Sequence, residues 1–323
     1  MDIIKKICAS VKDYSQDKVM KDLIDYYGEE AVNRMTELTE TADAIWMLIK
    51  ESHLTLDTED RTEEFTLVDW YNKALEVLDP FLNLTPGDRL LYVAWLEAYL
   101  DGHTCLPILI IDGPEGCGKS TLCKITHTIL NTGYLCNFYQ RKKQDYEPAV
   151  LTGRETKEGI CGYAASRELA IYEQVTALTP DQISGMIKTA FCQYPESVPG
   201  VDKKARHGVI LHSSGLTLTD QDMLDHSVRL VMSPLKHARP QQEILAELEQ
   251  KMPEIYKALT ALYCCVTASS LAFREELLRA DCPVKVRILS EYHLLGCCMS
   301  LYAYGNDDFY NHFHNTQLQP RQA

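Results

Sequence analysis

The sequence has no stretch close to the roughly 20 consecutive apolar residues that a bilayer-crossing helix requires, so a membrane span is not expected. Its lysine-bearing start, Met1-Asp2-Ile3-Ile4-Lys5-Lys6, lacks the apolar run of a secretion signal behind it. The two absences together give the expectation of a soluble, cytoplasmic protein without a membrane partner. Positive charge is also scarce: 32 Lys and Arg stand against 46 Asp and Glu, a formal net charge of -14. That balance excludes a protein coating nucleic acid through bulk charge, because phosphate contacts need local cation density. Nucleic acid would have to be held by a local patch or by a ring of subunits.

No C-x-x-C pair occurs, so a cysteine zinc site is not expected. The twelve cysteines, spread along a chain without a secretion signal, read as buried free thiols rather than a disulfide framework. Cys264-Cys265 and Cys297-Cys298 lie in apolar helical stretches. His312-Phe313-His314 places its histidines at i and i+2, which diverge on a helix, so this segment reads as a solvated tail. Internal repeats and low-complexity segments are absent as well.

What is present is material for a large core. The 323 residues are 46% hydrophobic, enough for about two domains of ordinary size. Residues 1–84 read as an N-terminal helical domain, with Val19, Met20, Leu23 and Ile24 and then Met35, Leu38, Ala42, Ile45 and Leu48 at helical spacing. The acidic run 57–64 breaks that pattern, and a boundary is expected between about 56 and 84. Residues 85–239 read as α/β. Thr85-Pro86 opens a helix through Leu100, followed by strand 107–112, helix 119–131, strands near 134–139 and 168–173, helix 180–192, and strands 208–213 and 228–232. That alternation predicts a mainly parallel sheet. Thr179 and Gln182 form a capping-box pair at the start of the 180–192 helix. Residues 240–323 read as a C-terminal helical domain, with helices at 244–251, 253–272 and 283–304.

The most specific feature sits between strand 107–112 and the helix behind it. Gly113-Pro114-Glu115-Gly116-Cys117-Gly118-Lys119-Ser120 fits G-x-x-x-x-G-K-[ST], a loop that wraps backbone N–H groups around phosphates at the start of a helix. Gly113 to Thr121 are therefore the candidate nucleotide-binding residues. Lys119 is expected on the outer phosphates of ATP or GTP and Ser120 on Mg²⁺. Such a site also needs an acid at the end of a neighbouring strand. In Leu169-Ala170-Ile171-Tyr172-Glu173-Gln174, Glu173 is the candidate metal-side acid. Gln174 stands where a second acid often sits, and a glutamine can orient water but cannot take its proton. Slow turnover follows. Ser213 or Ser214, ending strand 208–213, is the candidate reporter on the γ-phosphate. Arg229 and Arg239 are candidates for an arginine supplied to a neighbouring subunit. Lys203, Lys204 and Arg206 form a basic cluster that could touch nucleic-acid phosphates. Arg141-Lys142-Lys143, flanked by Tyr139 and Tyr146, is a second.

Taken together, Leu90 to Leu96, Pro107 to Gly113, Gly118 to Leu122, Ile171 to Thr176, Gly208 to Leu211 and Met223 to Val228 resemble the ATPase modules of phage and plasmid replication proteins. These are P-loop NTPases of AAA+ type related to superfamily 3 helicases. The resemblance covers about 85–316 and extends to Leu245, Leu248, Met252 to Ile255, Ala258-Leu259 and Val286 to Leu289. It implies ATP and Mg²⁺ as cofactors, a homo-oligomeric ring such as a hexamer, and single-stranded DNA as a partner. Two positions depart from the pattern: His226 stands where the family tends to have Arg, and Glu173 where it has Asp. Residues 1–84 are too short and too helical for the primase-polymerase domain that often precedes such modules. Two other readings compete. One is a nucleotide-gated switch that binds a protein through the N-terminal helices, and the other is a P-loop kinase acting on a small molecule.

Overall fold

The computed structural model describes residues 67–101, 106–131, 144–167, 169–191, 208–235 and 237–256. Toward the C-terminus it adds 258, 259, 262, 292, 293, 295–297, 299 and 308–318. All of these fall within Glu59–Ala323, one of two units into which the chain divides. Several sequence expectations lie outside the described residues: the helices of 1–55, the strand near 134–139, the clusters 141–143 and 202–207, Cys264-Cys265, and most of 283–304.

Five strands form one parallel sheet: β1 (Ile108–Asp112), β2 (Ala149–Val150), β3 (Leu169–Val175), β4 (Gly208–Ser213) and β5 (Ser227–Val231), in the order β2-β3-β4-β1-β5. The fold is α/β. β1 and β4 are buried along their whole length, which is why each carries a continuous apolar run, Ile108 to Ile111 and Val209 to Leu211, rather than alternating. Ile108, Leu109, Ile110 and Ile111 are each fully buried, and each such side chain contributes about 1.5–3 kcal/mol relative to exposure.

The helices begin where their caps dictate. α1 is Leu67–Leu78 and α2 Pro86–Asp101. Pro86 takes the first helical position, while Thr85 Oγ1 accepts from the Asp88 amide at 3.2 Å. α3 (Lys119–Leu130) starts directly after Gly118. α4 (Lys157–Ala165), a helix the periodicity did not reveal, is capped by Thr156. α5 (Pro180–Ala190) carries the expected capping box, Thr179 with Gln182, and α6 (Gln221–Asp225) is capped by Asp220. α7 spans residues 241–256, and α8 is Asp308–Phe313, ending in a wide turn, His314–Leu318.

From β1 the chain crosses to the far edge at β2, then returns through β3 and β4 and steps over β1 to β5. Right-handed connections therefore put α3 on one face of the sheet and α4, α5 and α6 on the other. The contacts agree. α3 packs on β3 and β4, α5 packs on β1 and β4, and α4 packs on β3 and α5. α2 joins the α3 face, with the Tyr92 hydroxyl 2.8 Å from Thr126 Oγ1 and Trp95 Nε1 donating to Pro107 O at 2.8 Å.

The segment around His312 is a correction to the expected solvated tail. Phe309 and Phe313 are fully buried, and His312 Nε2 lies 3.2 Å from Asp88 Oδ1 at the start of α2. The buried Gln317 brackets edge strand β5, accepting from Arg229 N at 2.8 Å and donating to Arg229 O at 2.9 Å. Amphipathic packing of the aromatics decided the matter, and the histidine spacing did not report it.

Candidate functional site

β1 ends at Asp112, and the chain turns at once through Gly113, whose φ is 146°. A Cβ there would stand 2.5 Å from Met232 O, so only glycine lets the loop leave the strand beside β5. At the other end Gly118 takes φ 97° immediately before α3, a left-handed conformation that costs other residues roughly 1–2 kcal/mol. Between them Pro114, Glu115 and Gly116 are exposed, while Cys117 is buried. Asn83, just ahead of α2, straps the loop down: its Nδ2 donates to Cys117 O at 3.0 Å and to Ser233 O at 2.7 Å.

Lys119 is buried, and its ammonium is turned into the loop. Nζ donates to Gly113 O at 2.7 Å and Pro114 O at 2.6 Å, with Cys117 Sγ at 3.8 Å. Burying an ammonium is costly unless its donors are satisfied, and here loop carbonyls do this. Anionic oxygens entering the loop would compete for the same three N–H donors, and the amino end of α3 adds its own positive potential.

Strand alternation then sorts the remaining residues. Ile111 pairs with His212 and Ile171 with Ile210, so His212 and Glu173 share the α3 face. Ser120 Oγ lies 3.4 Å from His212 Nδ1, which is 3.9 Å from Glu173 Oε1. Tyr146, from the segment leading into β2, donates its phenol to Glu173 Oε1 at 2.8 Å. Burial pushes the His212 imidazole below its usual range; Glu173 opposes that shift and Lys119 adds to it. Thr121 faces α7, its Oγ1 accepting from Gln241 Nε2 at 3.0 Å.

The opposite face gathers a different set. Ser213 Oγ donates to Asp112 Oδ1 at 2.9 Å, as does the Gly215 amide at 2.9 Å. Arg229 closes the group with an ion pair to Asp112 Oδ2. Burial alone would raise the Asp112 carboxyl, yet hydrogen bonds from Arg229, Gly215, Ser213 and Gly113 outweigh it and hold the group down at about 2. Ser213 and Arg229 are thus engaged by Asp112, away from Ser120 and Glu173. Arg239 forms an exposed ion pair with Glu247 of α7. His226 ends α6, its Nδ1 2.5 Å from Asp222 O. Lys203, Lys204 and Arg206 lie outside the described residues.

Gln174 follows Glu173 at an irregularity in the β3–β4 pairing and is exposed, with φ 56°. Among the described residues it is the non-glycine residue with positive φ. Such backbone is costly for glutamine and recurs where a chain must re-aim a side chain.

Sequence reasoning missed Asp112, His212, Tyr146 and Asn83. The signal for the first two was available: with period 2 in register, a residue one place before a candidate serine points to the other face. Tyr146 and Asn83 act across 27 and 34 residues of sequence, and no local pattern reports such contacts. No family model, curated protein or solved structure matches this chain.

Proposed function

We propose that this chain is a P-loop ATPase with an AAA+-like core, binding Mg·ATP at the loop Gly113 to Ser120 and working as a ring-forming motor or loader on nucleic acid. One observation carries the nucleotide reading: Lys119 is buried with its ammonium on the carbonyls of a glycine-rich loop at the carboxyl end of an interior parallel strand. In open parallel sheets ligands bind beyond the carboxyl ends of strands where the chain reverses its direction of travel across the sheet. β1 is such a strand, since the chain leaves it toward β2 and later passes over it to β5.

The residues present suit a magnesium ion. Ser120 and Glu173 are hard oxygen donors facing the same side of the sheet, of the type Mg²⁺ takes together with phosphate oxygens and water. When bound, the ion would be held through Ser120 and Glu173 and would offset charge on the transferring group. Lys119 would leave the carbonyls of Gly113 and Pro114 for the outer phosphates. His212, largely neutral near pH 7 because of its burial, stands beside Ser120 and Glu173 and can donate or accept one hydrogen bond there. Gln174 can orient a water but cannot remove its proton.

A second reading is favoured by specific observations: a nucleotide-gated switch that binds a partner protein and hydrolyses ATP slowly. Gln174 supplies no base, and both candidate arginines are already paired within the chain, Arg229 with Asp112 and Arg239 with Glu247. Steady-state ATP hydrolysis over a range of protein concentrations, with and without single-stranded DNA, separates the two. Specific activity that climbs with both supports the ring motor. Nucleotide binding with hydrolysis that responds to neither supports the switch.

A further inference from the structure

The candidate acid is already occupied. Glu173 accepts a hydrogen bond from the Tyr146 phenol at 2.8 Å, and its side chain is only 18% exposed. Tyr146 is held in turn by α3. Lys124 Nζ stands 5.4 Å from the centre of its ring, and His127 meets the ring edge-on at 5.4 Å. Two residues earlier, Gln144 N donates to Asn131 Oδ1 at 2.9 Å, which fixes the segment to the end of α3. The phenol is a donor throughout the neutral range, since burial raises it and its surroundings raise it further.

Lys124 also faces α7. Its Nζ donates to Gln241 Oε1 at 2.7 Å, and the Gln241 amide donates to Thr121 Oγ1, next to Ser120. One lysine thus touches the first residue of α7 and the ring of the tyrosine that holds the acid. The Tyr256 phenol donates to Ile129 O further along, so α7 lies along α3.

We propose that Tyr146 is a positioning residue that restrains Glu173, and that α7 sets the grip through Gln241 and Lys124. Docked as here, α7 keeps Lys124 over the Tyr146 ring, and the phenol keeps one carboxylate oxygen from a cation or a water. Displacing α7 from α3 frees Lys124, loosens Tyr146 and releases the acid. The geometry couples the C-terminal helical segment to the nucleotide site through Gln241, which bonds both Thr121 and Lys124. This inference rests on the nucleotide-site reading above.

The test uses the full chain as wild type, Tyr146→Phe, Gln241→Ala and the double variant. Two readouts are needed: the Mg²⁺ concentration giving half-maximal thermal stabilisation by ATP, and kcat with KM at saturating Mg²⁺. Removing a hydrogen bond to a charged group is expected to lower that Mg²⁺ midpoint and raise kcat about tenfold in Tyr146→Phe, with KM changed less than about twofold. Gln241→Ala should move both readouts in the same direction by less, and the double variant should match Tyr146→Phe alone, since coupled residues are not additive. An unchanged or lowered kcat with an unchanged Mg²⁺ midpoint in Tyr146→Phe overturns the proposal, and so does independent multiplication of the two effects. If melting shows Tyr146→Phe misfolded, Lys124→Met breaks the same chain of contacts and must give the same direction of change. Wild type that binds no ATP removes the nucleotide reading and this inference together. Normal ATP binding with no response to any of these substitutions removes this inference alone.

Discussion

Asp112 and Arg229 form an ion pair across adjacent parallel strands, on the sheet face turned away from Ser120 and Glu173. The carboxylate is buried and the guanidinium is 40% exposed, so the pair lies at the margin of the core rather than in it. Arg229→Ala leaves Asp112 with its other donors but without its counter-charge. We expect a loss of about 1–3 kcal/mol in urea unfolding. Because Arg229 is engaged within its own chain, Arg229→Ala should keep ATP hydrolysis when assayed alone, and mixing it with Lys119→Ala should add none. Activity lost in Arg229→Ala alone and recovered in that mixture would show that Arg229 serves a neighbour's site after all.

The same carboxylate sets a pH dependence. Its folded value of about 2 lies below the ordinary 3.8, so it stabilises the fold above pH 4 and loses that contribution as pH falls through 3.8 toward 2. A shift of this size corresponds to about 2 kcal/mol. Wild-type stability should therefore fall more steeply between pH 4 and pH 2.5 than that of Asp112→Asn, as read by denaturant unfolding at each pH. Parallel curves would mean that Arg229 and the neighbouring donors do not act on Asp112 in solution.

Strand alternation assigns His212 and Ser213 to different jobs. His212→Ala should reduce kcat about tenfold or more while ATP still binds, since it removes a polar group beside Ser120 and Glu173. Ser213→Ala should leave kcat within about twofold and cost about 1 kcal/mol of stability through its lost bond to Asp112. The reverse pattern in kinetics and melting would exchange the two roles.

Gln174 combines a strained backbone with the wrong chemistry for a base. Gln174→Gly should raise stability by up to about 1 kcal/mol, because glycine takes φ 56° without a Cβ penalty. Gln174→Glu should raise hydrolysis at least about tenfold if the position faces the attacking water. Equal rates for the glutamine and glutamate forms would show that position 174 does not limit turnover.

Much of the fold was legible because its signals are local. The buried strands β1 and β4 announce themselves as apolar runs, and Thr85-Pro86 and Thr179-Pro180 announce the starts of their helices. The glycines at 113, 116 and 118 report backbone that other residues resist. β2 and α4 were not legible: a strand of two residues carries no period, and Ile160, Cys161 and Ala164 are too few to outline a helical face. The site divides the same way. Lys119, Ser120 and Glu173 stand in patterns that sequence can show, whereas Tyr146 on Glu173 and Asn83 on Cys117 are products of folding. Arg229 was conspicuous as a cation in a strand, but its partner Asp112 became apparent only when β1 and β5 were in register.

Nucleotide binding is the claim on which the rest depends, and titration of a fluorescent ATP analogue into wild type and Lys119→Ala, with Mg²⁺ and then with excess chelator, tests it most directly. Saturable binding by wild type should strengthen with Mg²⁺, and the variant, which lacks the lysine donor inside the loop, should lose at least about tenfold in affinity. Equal, Mg²⁺-independent affinity in both proteins would contradict that claim.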